Sequence, residues 1–326
     1  MSRRAVALII LLLLAFSAWW RFFPMAREPG YRFAGSWTLP AGKSGGDPEP
    51  IGIAIAGKEV FVSDAGSHRI VVFNRNGNYI REFAREGDGP GEFGRPMLMD
   101  VGLKGKKLYV AEYLNDRIQV FSLQGEPLEV IGSSGSGPGE FDSPSGVEID
   151  GMGRLYVADF FNHRVQVLTP SGEFIKQYGI TGKIGIKNGL FNYPTDVALM
   201  SDGGLVVADA YNDRIQIFGP DGSFLRKWGG PFAMNIHGPF NGWFMTATAV
   251  SSGPDGNIFV ADFYNNRVQK FTPTGKFLVT IGSNGSGSDK LKYPTDVAID
   301  SEGTVYIADF GNRRIARFNP IEDKAQ

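Results

Sequence analysis

The sequence predicts an all-β, six-bladed β-propeller carrying an N-terminal transmembrane anchor helix. Three observations carry this. A hexapeptide recurs six times, strand and turn signals sit at fixed places around each copy, and one uncharged apolar run opens the chain. The expected organisation is an anchor and linker over residues 1–30 and a propeller over residues 31–326.

The apolar run extends from Ala5 to Trp20, preceded by Arg3 and Arg4 and ended by Arg21. Sixteen helical residues rise about 24 Å, slightly short of a ~30 Å hydrocarbon core. Phe22 and Phe23 extend the stretch beyond Arg21, which can snorkel, and Trp19 and Trp20 suit the interface. A cleaved signal peptide competes with an uncleaved anchor, but its best site, Ala15-Phe16-Ser17, lies inside the apolar run. In either case the arginines stay cytoplasmic, so the propeller is expected in the periplasm or outside the cell.

Tyr31–Thr38 reads as an outer strand. The sixth repeat lacks a fourth strand of its own, so this segment is expected to pair with it and close the ring; an open ring would leave an unpaired edge. The hexapeptides begin at Asp64, Glu112, Asp159, Asp209, Asp262 and Asp309, at intervals of 48, 47, 50, 53 and 47 residues. Each contains an arginine: Arg69, Arg117, Arg164, Arg214, Arg267 and Arg314. An apolar run such as Leu155-Tyr156-Val157-Ala158 precedes each copy. An alternating run such as Ile215-Gln216-Ile217-Phe218 follows, then a Gly turn such as Pro220-Asp221-Gly222 and a fourth strand. Four short strands in about fifty residues describe a propeller blade.

The D-x-x-N-x-R element, the G-x-G-P-G-E-F segments (Gly89–Phe93, Gly137–Phe141) and the Y-P-T-D-V starts at Tyr193 and Tyr293 together resemble the NHL-repeat propeller family over residues 31–320. The resemblance implies the fold. It also offers precedents for extracytoplasmic sensing, for protein-interaction surfaces and, among related six-bladed propellers, for metal-dependent lyases or hydrolases.

Composition narrows the function. There is no cysteine, which excludes disulfides, thiolate catalysis and Cys-ligated zinc. Beyond residue 29 the chain carries a net charge of −4, which argues against nucleic acid as a partner. No G-x-S-x-G, H-E-x-x-H or EF-hand loop appears.

The repeated Asp and Arg are expected to be architectural, since a role repeated six times lacks the asymmetry of a site. The position between Asn and Arg holds His68, Asp116, His163, Asp213, Asn266 and Arg313, and is expected to form a solvated rim. Aromatic residues just before it, among them Phe160, Tyr211, Phe263 and Phe310, are candidates for an exposed binding face. The long blade-four-to-five connection adds His237, Phe240, Trp243 and Phe244 as binding candidates. Asp196 and Asp296, near one mouth of the channel, are candidates either for a cation such as Ca²⁺ or for capping backbone N–H groups. The leading expectation is a membrane-anchored, extracytoplasmic, non-enzymatic scaffold or sensor for a protein or peptide, with no cofactor required. The alternative is a metal-dependent lyase or hydrolase acting at the channel mouth.

Overall fold

The computed structural model describes residues 25–42, 46–102 and 106–322. The apolar run expected to anchor the chain therefore lies outside the described residues. Among the described residues no helix is long and apolar enough to cross a membrane.

Six four-stranded antiparallel sheets make up the fold. Blade one comprises Pro50–Ala56, Glu59–Asp64, Arg69–Asn74 and Tyr79–Phe83, and blades two to five repeat that meander. Blade six has three strands of its own, Pro294–Ile299, Val305–Asp309 and Arg314–Pro320. Its outer strand is β1, Tyr31–Thr38. β1 pairs antiparallel with Arg314–Pro320 from Tyr31↔Pro320 to Thr38↔Arg314, the closure expected from the sequence.

The burial pattern explains the apolar runs. A blade is covered on both faces by its neighbours, so its middle strands are apolar throughout rather than alternating. Leu155–Asp159, Leu205–Asp209 and Ile258–Asp262 are buried at every position. Only outer strands keep an exposed side, as in Pro127–Ile131. Among the described residues the core falls into six clusters, five between consecutive blades and one, between blades five and six, that also takes in Ile51 and Ala65 of blade one and Leu98 of blade two. The cluster between blades six and one contains Tyr306, Ala308 and Ile315 with Ile53, Val60 and Val71.

Outer strands dock on the next blade's hairpin turn. Trp37 of β1 lies against Gly77, where a Cβ would come within 2.6 Å of the indole and where φ is +85°. Trp228 covers Gly275 in the same way, 2.8 Å from where a Cβ would sit. Only glycine meets both the backbone and the packing demand there.

The segment before β1 is pinned to blade five. The Arg27 N–H donates to the Leu278 carbonyl at 2.7 Å. Glu28 pairs with Lys270 at 2.6 Å, and Lys270 also meets Asp255 at 2.8 Å.

Candidate functional site

The repeated hexapeptide builds a bracket on each blade. In blade four, Arg214 Nε donates to Asp209 Oδ2 at 2.6 Å, and both side chains are fully buried. Asp209 Oδ1 accepts the Asn192 N–H at 2.7 Å, seventeen residues upstream. Asn212 donates to Asp209 and to the Gly185 carbonyl, and the second guanidinium nitrogen of Arg214 reaches the Lys187 and Leu190 carbonyls. The same pattern recurs at Asp159–Arg164, Asp262–Arg267 and Asp309–Arg314. Glu112–Arg117 follows it too, with the longer carboxylate accepting the Gly94 N–H. In blade one Arg69 holds Asp64 at 3.0 Å and turns to Glu82 and the Pro40 carbonyl. The geometry is architectural: local Asp–Arg and Asp–Asn bonds within the hexapeptide are joined to bonds that reach seventeen to twenty-seven residues back along the chain. Each bracket grips the connection that feeds its own blade.

A glutamine completes the bracket, and sequence reasoning missed it. Gln216 Nε2 donates to Asp209 Oδ2 and the Leu190 carbonyl, while its Oε1 accepts the Gly189 N–H. Gln119, Gln166 and Gln269 do the same. The available signal was a glutamine seven residues after the acid in four copies.

The variable position forms contacts between blades rather than a solvated rim, except at Arg313, whose side chain is 58 % exposed. His68, Asp116, His163, Asp213, Asn266 and Arg313 all have φ between 50° and 55°, and each reaches toward the next blade. Asp116 accepts the Ser143 N–H and Asp213 accepts the Thr246 N–H, both at 2.7 Å. Asn266 accepts the Tyr293 N–H at 2.9 Å, and His163 Nδ1 accepts the Tyr193 N–H at 3.2 Å. His68 Nδ1 donates to the Gly94 carbonyl, and Arg313 pairs with Asp47 across the ring seam. The left-handed backbone favours Asn, Asp and His there, and the neighbouring N–H groups need acceptors. Burial lowers the His163 pKa, which keeps the ring neutral and able to accept.

These latches support an aromatic face. Tyr113, Phe160, Phe161, Tyr193 and Tyr211, from three successive blades, touch one another with ring centroids 4.8 to 6.2 Å apart. Phe161 and Tyr211 are exposed, and Leu114 beside them is 61 % exposed. Tyr193 was missed as a surface residue. Its backbone φ of 51°, held by the His163 latch, stands its ring among the others. Phe263, Tyr264 and Tyr293 form a second group across blades five and six. Phe310 joins neither group. It is half-buried against the apolar cluster of blades five and six.

Four carboxylates line the central channel around a cavity of about 320 Å³: Asp100, Glu148, Asp196 and Asp296. The inner edge of each blade has no ladder partner, so its N–H groups need acceptors. Asp296 accepts the Ile53 N–H at 2.7 Å, Asp196 the Val250 N–H at 2.9 Å, and Asp100 the Ile149 N–H at 2.9 Å, in each case on the following blade. Gly146 leaves the room for Asp196, since a Cβ would lie 2.6 Å from its oxygen. Asp196 and Asp296 thus serve neighbouring-blade amides, and among the described residues no group of three or more acids or histidines is placed to hold a metal ion. Burial pushes Asp296 up to about 7 and Asp100 up to about 6. Glu148 and Asp196 rise well above the ordinary range, from burial and then from repulsion by their neighbours.

The blade-four-to-five connection divides its candidates. Phe244 is fully buried in the cluster between those blades, so the expectation that it binds a partner is corrected: its ring packs on Phe271 at 5.6 Å. Trp243 is half-buried and meets Phe240, itself 42 % exposed, at 5.0 Å. His237 is exposed, with Nδ1 3.8 Å from Asp213. The structure does not bring these residues together with Phe160 and Tyr211 in one aromatic cluster.

Sequence comparison finds the NHL repeat at residues 191–218 and a family described as a 6-bladed beta-propeller at residues 49–110, 97–179 and 253–321. No curated protein matches the sequence. Similar solved structures include a catalytically inactive virginiamycin B lyase from Staphylococcus aureus with quinupristin. That likeness has 17 % identity, 90 % of each chain covered and a TM-score of 0.59. A streptogramin B lyase is similar at 16 % identity and TM-score 0.60, covering 90 % of this chain and 98 % of that one. A protein of unknown function from Bacteroides thetaiotaomicron is similar at 17 % identity and TM-score 0.63, covering 90 % and 75 %. At these identities the likeness shows the fold alone.

Proposed function

The chain belongs to the 6-bladed β-propeller family that carries the NHL repeat, and from that premise we propose that it is a membrane-anchored, extracytoplasmic binding module for a protein or peptide. The observation that carries the reading is the aromatic group Tyr113, Phe160, Phe161, Tyr193 and Tyr211, assembled from three blades, with Phe161 and Tyr211 exposed and the other three half-buried beneath them. Aromatic rings held by their neighbours lose little side-chain entropy on binding, and the exposed Phe161 and Tyr211 would bury apolar area, as interface anchors do. The partner expected is a chain segment presenting apolar or aromatic side chains.

A lyase reading draws on the likeness to virginiamycin B lyase and on the four channel carboxylates. Against it, Asp100, Asp196 and Asp296 each accept a backbone N–H of the following blade, as an edge of unpaired amides requires. Crosslinking and recovery from intact membranes test the binding reading. A specific partner is expected with the native chain, and at least tenfold less of it with the Phe161→Ala, Tyr211→Ala double variant. Recovery of no partner, or equal recovery with both, refutes it. A stoichiometric ion in the purified protein, lost in Asp196→Ala, supports the lyase instead.

A further inference from the structure

We propose that the outer surface formed by the blade-four-to-five connection and the segment Met25–Gly30 rests on the headgroups of an anionic bilayer. The inference rests on reading the apolar run Ala5–Trp20 as an uncleaved anchor. It adds an orientation which that reading does not supply.

Reach is the first argument. Arg27 is fixed to blade five through its N–H to the Leu278 carbonyl, and Glu28 through Lys270. Phe23, the last residue of the N-terminal apolar stretch, is four residues from Arg27. Four residues span at most about 14 Å. The edge of blade five therefore cannot stand farther than that from the membrane, which makes it the part of the ring tethered closest to the bilayer.

Surface chemistry is the second argument. A cavity of about 580 Å³ lies between the outer parts of blades four and five. Among the described residues, Arg27, Lys227 and Lys276 line it with no aspartate or glutamate, Trp228 and Phe232 form part of its wall, and the nearby Glu28 is neutralised by Lys270. The chain beyond residue 29 is net acidic, so a wall with only cations departs from the average of the molecule. Beside the cavity the connection projects Phe232, 72 % exposed, with Met234 and Ile236 each 47 % exposed. Cations that meet lipid phosphates, flanked by apolar and aromatic side chains that enter the acyl boundary, make up the composition of an interfacial contact.

The chain has no cysteine, so single labelling sites can be introduced cleanly. The full chain is reconstituted into vesicles of phosphatidylcholine with or without phosphatidylglycerol. An environment-sensitive fluorophore is placed at Phe232→Cys, at Met234→Cys, or at Leu128→Cys on the outer strand of blade two, halfway around the ring. Lipid-borne quencher is expected to reduce emission at 232 and 234 several-fold more than at 128. The difference should grow with phosphatidylglycerol and shrink in Arg27→Glu, Lys276→Glu. Equal quenching at all three sites, or no dependence on phosphatidylglycerol, overturns the docking proposal while leaving the anchor intact. Release of the chain from the vesicles by alkaline carbonate overturns both, and so identifies failure of the anchor reading.

Discussion

At the scale of single residues, the instructive position is the one between Asn and Arg in each repeat. Its six occupants share no charge and no size, and by sequence they look like variable surface. They share tolerance of a left-handed backbone and a side chain that reaches the next blade. His163 and Asn266 do the same work on blades three and five, which leads to a prediction. His163→Asn keeps an acceptor for the Tyr193 N–H and should change stability by less than about 0.5 kcal/mol. His163→Val removes the acceptor and places a β-branched residue in the left-handed region, at a cost of about 2 kcal/mol or more. Chemical denaturation checks both. The sign of the pH effect follows from the lowered pKa. The folded state disfavours the charged ring, so stability from this group is present above the ordinary histidine value and lost on acidification below it. The Asn variant should lose that component.

At the scale of strands and turns, what was legible in the sequence is what repeats. Six blades, their order and the closing role of β1 follow from spacing and from a missing fourth strand. Gln216 was not legible as a buried bracket residue, because a lone polar side chain in an alternating run normally faces water; here its amide is satisfied on three sides. Phe244 and Phe240 were not separable either, since a non-repeating loop has no period to tell its buried side from its open one. Asp100 and Glu148 escaped notice because they sit two residues farther along their strands than Asp196 and Asp296. Closure gives a prediction at this scale. Deleting Tyr31–Thr38 removes the partner of Arg314–Pro320 and the Trp37 contacts with Phe73 and Tyr306. The shortened protein should aggregate or melt far below the native chain, as thermal unfolding followed by light scattering would show; an unchanged melt would reject the closure as a source of stability.

At the scale of the whole ring, the channel sets a pH dependence opposite in sign to that of His163. Four carboxylates share the cavity, and among the described residues no basic side chain lines it. Their folded pKa values lie above the unfolded ones, near 7 for Asp296 and near 6 for Asp100, so the folded state binds more protons between about pH 4 and 7. Their contribution to stability is present below about pH 4 and is lost as pH rises through 6 to 7. Asp296→Asn retains an oxygen for the Ile53 N–H and removes one charge. It should be more stable than the native chain at pH 8, by roughly 1 kcal/mol or more, and converge with it only below about pH 4. Calorimetric melts at the two pH values measure this.

The pairing of β1 with Arg314–Pro320 also constrains how the molecule is made. Tyr31–Thr38 must wait, unpaired, until Arg314–Pro320 emerges almost three hundred residues later, because these two strands are partners in one sheet. A chain interrupted anywhere before residue 314 cannot seal its wheel, so a truncated translation product carries a built-in mark of incompleteness that a protease can read.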